Sequence, residues 1–238
     1  MALSPIARST LQAALISAIS NILAQFIAAH QAGQPFAFNP IPTLQYTLYA
    51  LLSTPPNFMW QEYLESIFPS YTSQEDGDNK SEIKRMQEQP RLNKINTLIK
   101  TILDQTLAAV LNNLAFCLAL GGMRMGMAKQ ASEFLRLQQQ HHSQNQSPAG
   151  SFILSLLLLL EAFSKTGGPM RYEDVNWAVV WEQAKSELWG LMIVSWQFWP
   201  LVSVVNYAFL TSVEARTLIG SLAGLAWGVY LSLYAGGN

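Results

Sequence analysis

The chain has 238 residues, a formal net charge of −1, 50 % hydrophobic and only 12 % charged residues, and a single cysteine. Such apolar content excludes a disordered chain, the balanced charge excludes a basic nucleic-acid binder, and the lone Cys117 excludes a disulfide framework. A helical membrane protein and a charge-poor soluble bundle remain, and a mean hydropathy of +0.16 does not separate them.

The placement of charge does. No Asp, Glu, Lys or Arg occurs in Ser9–Gln61, Gln105–Met123, Leu188–Val213 or Thr217–Asn238. A helix needs about 20 apolar residues to cross the hydrocarbon core, and each charge left at its centre costs roughly 2.5–3.5 kcal/mol. Ten charges are gathered between Glu75 and Lys94. Long neutral runs separated by charged loops are what a polytopic membrane chain requires.

In Ser9–Ala29, Leu11, Leu15, Ile19, Ile22 and Phe26 recur at helical spacing, while Ser17, Asn21 and Gln25 stand four apart on one face. Gly33, Pro35, Asn39, Pro40 and Pro42 mark a turn. A second helix, Thr43–Phe68, carries Gln45, Tyr49, Ser53, Asn57 and Gln61 in a four-residue series. Pro55-Pro56 predicts a kink or break within it. Glu62 and Glu65 near its end read as a solvated face. Residues 69–96 form a charged loop. The third span, Thr97–Met123, has Asp104 near its start, where the helix dipole tolerates an anion, and Asn112 and Asn113 inside.

Residues 124–150 are a Gln/His-rich insert. Its His141-His142 pair lacks a third ligand, so no metal site is expected. Asn79-Lys80-Ser81 and Asn145-Gln146-Ser147 have the form of glycosylation sequons. Phe152–Phe163 is apolar but short, and crossing, re-entry and burial are all open to it. Tyr172–Glu187 is amphipathic, with Trp177 and Trp181 one turn apart, as in an interfacial helix. Leu188–Leu210, carrying Pro200, is the fourth span and Thr217–Tyr234 the fifth. Within the last, Gly220, Gly224 and Gly228 recur every fourth residue and predict a close helix-packing seam.

The expected fold is all-α: a polytopic transmembrane bundle of four to six helices in one integral membrane domain, residues 1–238, with an amphipathic interfacial helix before the Trp196–Pro200 segment. Six Lys and Arg lie between Pro69 and Lys100 and none between His30 and Thr43. The positive-inside rule then places the N-terminus and the charged loop on the cytosolic side. Neither a strong mitochondrial presequence nor a peroxisomal C-terminal address is read at the ends. No zinc, redox, phosphate-loop, dinucleotide or nucleophile-elbow motif is present, so no enzyme, cofactor or metal is expected.

Trp196-Gln197-Phe198-Trp199-Pro200, then Asn206-Tyr207, Arg216 and Trp227, resemble the Mpv/PMP family of peroxisomal and mitochondrial inner-membrane proteins. Pro55, Trp60, Leu64 and Glu65 fit that family's proline-then-W-Y-x-x-L-D spacing, and Asp104-Gln105 fits its D-Q pair opening the third span. Thr54, Phe58 and Gln61 depart from the pattern. The resemblance implies four to five packed helices, no catalysis, and a pore for small solutes.

The residues themselves support two functions. Ser17, Asn21, Gln25, Ser53, Asn57, Asn112 and Asn113 are pore-lining candidates, because polar side chains in a span face protein or water; bonding between helices would explain them equally. The alternative is a membrane-organising or partner-binding scaffold built on the glycine seam and charged loop. Expected partners are the lipid bilayer, small-molecule solutes and a second copy of the chain, with no nucleic acid. The peroxisomal membrane is favoured and the mitochondrial inner membrane is the alternative. Trp196, Trp199 and Pro200 are expected to anchor and bend their helix, and Arg216 to reach the headgroups or pair with Glu214 or Asp104.

Overall fold

The computed structural model describes residues 3–72, 91–141 and 148–236. Most of the charged loop, both sequons and His142 lie outside these residues. The described elements are α1 (Pro5–Gln31), α2 (Pro40–Ile67), a two-residue antiparallel pairing of β1 (Tyr71–Thr72) with β2 (Arg91–Leu92), α3 (Lys94–Gly126), α4 (Ala128–Gln140), α5 (Pro148–Thr166), α6 (Trp177–Phe209) and α7 (Val213–Gly236). The all-α bundle read from the sequence is the fold observed.

Local chemistry sets the helix starts. Ser4 and Asn39 cap α1 and α2 through their side chains, each followed by a proline at the first helical position, where no backbone donor is missed. Asn93 and Asn176 cap α3 and α6 in the same way. Of the kink or break expected at Pro55-Pro56, the break does not occur: α2 continues as one helix from Pro40 to Ile67. Thr54 Oγ1 donates to the carbonyl of Ala50 at 2.6 Å, within the turn where the prolines weaken the ladder. Pro200 likewise leaves α6 continuous, and the amphipathic stretch beginning at Trp177 belongs to the same 33-residue helix as the Trp196–Pro200 segment.

Five helices alternate in direction. Ser17 meets Tyr46 and Gln25 meets Asn39 between α1 and α2. Tyr49 meets Asn112, and Glu65 meets Lys100, between α2 and α3. Asn113 meets Met192 between α3 and α6, and Asn206 meets Arg216 between α6 and α7. Helix α7 runs beside α1, Gly228 facing Ser20. One rim, termed the near rim, therefore gathers the starts of α1, α3 and α7 with the ends of α2 and α6. The far rim gathers the opposite ends.

At the far rim, α4 and α5 form a hairpin. Met127, Phe134, Leu137, Leu158, Leu159 and Ala162 close around Ile41 of α2, and Phe152 stacks on Phe38 at 4.6 Å. The short apolar segment is thus half buried against its partner helix. Its other face, with Ile153, Leu157 and Leu160, is exposed. This rim also carries Arg124, Lys129, Arg136, Lys165, Arg171 and Lys185. The other eight of the 14 Lys and Arg are Arg8, Arg216 and the six between Pro69 and Lys100, so the charge bias is smaller than the uncharged His30–Thr43 turn implied.

Leu11, Leu15, Leu52, Leu111, Leu201, Phe209 and other large apolar side chains are exposed along the outer faces. Among the described residues, α1, α3 and α6 are long and apolar enough to cross a membrane. Water would leave such faces unfavourably hydrated, whereas lipid does not.

Candidate functional site

The near rim holds a buried charged knot. Glu65, in the last turn of α2, presents Oε2 to Nζ of Lys100 on α3 at 2.7 Å and to Nη1 of Arg216 on α7 at 2.6 Å. Both cationic side chains are fully buried, and Glu65 is 28 % exposed. Ser70 completes the knot. Its N–H donates to Glu65 Oε1 at 2.7 Å, its hydroxyl donates to Glu65 Oε2 at 3.0 Å, and Ser70 Oγ in turn accepts from Arg216 Nη2 at 3.1 Å and from Lys100 Nζ. Arg216 Nε donates to the carbonyls of Asn206 and Leu210, which close the end of α6. Both cations lie over the Tyr207 ring, 4.9 Å and 5.3 Å from its centroid.

The second carboxylate is one turn after Lys100. Asp104 accepts from Ser203 of α6 at 2.8 Å and from Gln105 at 3.4 Å. Trp60 and Tyr207 turn their polar atoms toward the same carboxylate without closing hydrogen bonds of normal geometry. Lys100 and Arg216 thus share the one carboxylate of Glu65, and a buried charge left without a partner is the arrangement a helical bundle tolerates least.

Asp104 also opens a π-helical turn, Asp104–Ala108. The extra residue displaces the backbone ladder beside Pro200 on α6, and two hydrogen bonds join the two irregular places. Trp196 Nε1 donates to the carbonyl of Gln105 at 2.8 Å, and Gln105 Nε2 reaches the carbonyl of Trp199 at 3.4 Å.

Sequence reading identified many of these residues but not their pairing. Arg216 pairs with Glu65, not with Glu214 or Asp104, because the end of α2 is packed against the start of α7. Glu65 is not part of a solvated face. Asp104 is stabilised by side chains of α2 and α6 rather than by a helix start, since α3 begins ten residues earlier. Lys100 was missed: it stands at the edge of a charged loop, and only its four-residue spacing from Asp104 hinted that both face inward.

The pore-lining candidates divide between two places. Ser17 donates to the carbonyl of Tyr46. Asn21 accepts from Gln25 and Thr43, and Gln25 binds both backbone groups of Asn39. These three side chains bind across the α1–α2 contact. Ser53 and Asn57 are partly buried on α2, Asn112 is exposed on α3, and Asn113 reaches Met192. Among the glycines, Gly228 meets Ser20, Gly224 is in ordinary contact with Trp199, and Gly220 has open space at its Cβ position. Trp227 stacks on Phe198 at 5.2 Å. The tightest glycine contact is elsewhere: Gly121 and Gly122 of α3 sit against Val180 and Trp177 of α6, with Gly126 against Met170 and Val175. The Gly122-x-x-x-Gly126 spacing was the readable signal.

Fold and interior together define a polytopic α-helical membrane protein whose helices are joined by buried polar contacts. Residues 171–232, which supply α6, most of α7 and the Arg216 arm of the knot, match the model of the Mpv17 / PMP22 family. The chain is similar to PXMP2/4 family protein 3 of Dictyostelium discoideum, at 41 % identity over 21 % of this chain and 26 % of that protein. It is also similar to the peroxisomal membrane protein PMP22 of Arabidopsis thaliana, at 30 % identity over 26 % of this chain and 33 % of that protein. The matches span a quarter to a third of these curated relatives. No solved structure matches. The family resemblance read from the sequence is borne out over this C-terminal part, where residues 171–232 match the Mpv17 / PMP22 family model.

Proposed function

We propose that the protein is a weakly selective pore for small polar solutes in an organelle membrane, the peroxisomal one favoured by the name of the Arabidopsis relative. One observation carries this reading. Around the knot, Gln61 Oε1, Gln105 Oε1 and Asn206 Oδ1 are buried without a hydrogen-bond partner among the described residues, and Trp60 Nε1 and Tyr207 OH are turned toward Asp104 without closing one. Buried polar atoms are costly unless paired or hydrated, and their supply by α2, α3 and α6 alike suits a hydrated interior. Opposed charges flanking it favour no strong ion selectivity. Ser53, Asn57, Asn112 and Asn113 extend polar surface toward the far rim along α2 and α3, whereas Ser17, Asn21 and Gln25 serve the α1–α2 contact.

Purified protein in planar bilayers tests the proposal. Discrete conductance steps that shift in size when Gln105 is replaced by Leu support it. Bilayers no more conductive than protein-free controls, over a range of voltages, overturn it, and a stable oligomer or captured membrane partner from the same preparation would then favour the scaffold reading.

A further inference from the structure

A second polar feature lies away from the knot, in a groove between α3, α6 and α7. Phe116, Leu191, Val194 and Trp227 give it apolar walls, the buried Cys117 lies at its base, Gly190 is exposed along it, and the exposed Arg124 and Glu187 form its mouth; its volume is about 350 Å³. Gly190 contributes to the opening directly, since nothing lies within 4 Å of the position its Cβ would take.

The two charges mark a depth. Arg124 is the first charge after the neutral run Gln105–Met123, and Glu187 the last before the neutral run Leu188–Val213. The groove therefore straddles the boundary between headgroups and hydrocarbon, charged at one end and apolar at the other. Arg124 makes no ion pair among the described residues, and Glu187 accepts only from the neutral Gln183, at 2.8 Å. A guanidinium and a carboxylate share one mouth with neither neutralised by an ion pair.

We infer that this groove binds a phospholipid with a zwitterionic headgroup bearing a primary ammonium, of the phosphatidylethanolamine type. The acyl chain lies along Phe116, Leu191 and Val194 over Gly190. The phosphate takes charge-assisted hydrogen bonds from Arg124, and the ammonium donates to Glu187. A free fatty acid would leave Glu187 facing a like charge. A choline headgroup has no N–H to donate.

Native mass spectrometry of the full chain, released from micelles holding equal phosphatidylethanolamine and phosphatidylcholine of the same acyl chains, tests this directly. Retained phosphatidylethanolamine should exceed phosphatidylcholine roughly fivefold, the ratio expected of one charge-assisted hydrogen bond at a partly exposed site. Glu187→Gln should equalise the two lipids, and Arg124→Gln should release both. Gly190→Leu, which fills the groove without changing charge, should lower retention of both while keeping their ratio. Equal retention by the unaltered protein, or a preference that persists in Glu187→Gln, overturns the assignment. The Glu187 result decides even where another variant fails to fold, and it does not depend on whether the protein conducts.

Discussion

Glu65 Oε2 and Arg216 Nη1, separated by 151 positions in the chain, meet at 2.6 Å and join the end of α2 to the start of α7. Because Lys100 shares that carboxylate, the contact links three helices rather than two. Removing one member of a buried charge set leaves the others without compensation, which is far more costly than the set's net contribution to stability.

Arg216→Met should therefore lower stability by roughly 2–4 kcal/mol, the partial exposure of Glu65 placing it at the lower part of the buried-pair range. Arg216→Lys should recover less than half of this, since an ammonium cannot reach Glu65 and the Asn206 and Leu210 carbonyls together. Tryptophan fluorescence during denaturant titration in micelles measures both; a neutral Arg216→Met would show that the knot is not structural.

Substitutions in the glycine runs should separate. Gly122→Ala places a Cβ 2.7 Å from the Trp177 ring and should cost about 1–3 kcal/mol as α3 and α6 are forced apart. Gly220→Ala meets open space and should be neutral or slightly stabilising through helix propensity, by up to about 1 kcal/mol. Thermal melts compare them. Blue-native electrophoresis of Gly220→Leu asks whether a second copy uses that face, a shift to a smaller species being the positive result.

The shorter of the two hydrogen bonds joining the π turn to the Pro200 region comes from an indole. Trp196→Phe keeps the ring but removes the donor to Gln105, leaving a backbone carbonyl unpaired; about 1 kcal/mol of stability should be lost. Amide exchange should quicken at 105–109 before it quickens in the rest of α3.

At the far rim, outside the spans, Lys129 beside Asp174 at 2.9 Å, with Arg171 adding to it, holds that carboxyl below the usual carboxylate range. A depressed carboxylate stabilises the fold above its unfolded pKa of about 4 and loses this contribution as pH falls through the lower folded value. Carbon-13 titration of the Asp174 carboxyl should place its midpoint below about 4, and Lys129→Met should move it upward.

The class of fold was legible because charge-free runs have one economical explanation at this length, and the caps at Ser4, Asn39, Asn93 and Asn176 follow from their own neighbourhoods. What was not legible is long-range. Glu65 and Lys100 each border a polar loop, and local sequence makes both look solvated; only packing of helix ends distant in the chain brings them inside. Pro55-Pro56 left a kink and a break both open, and only the structure shows that the helix continues through them. The motif residues Trp60, Asp104, Gln105, Asn206 and Arg216 were correctly singled out, but a motif gives identity and spacing, not partners. The polar stripe Ser17–Asn21–Gln25 was seen as a stripe, and the donors and acceptors of Asn39 and Thr43 that receive it were visible only as a turn.

The two rims of the bundle are fastened by different forces. The near rim is tied by ionised groups that are buried, and salt screens such groups little. The far rim is closed by the apolar clasp of the α4–α5 hairpin over Ile41, with exposed ion pairs such as Lys129–Asp174 and Lys165–Glu133 around it. Added salt would thus reach the charges of one side of the membrane before those of the other, giving a protein inserted in two leaflets a sidedness of response that its net charge of −1 conceals.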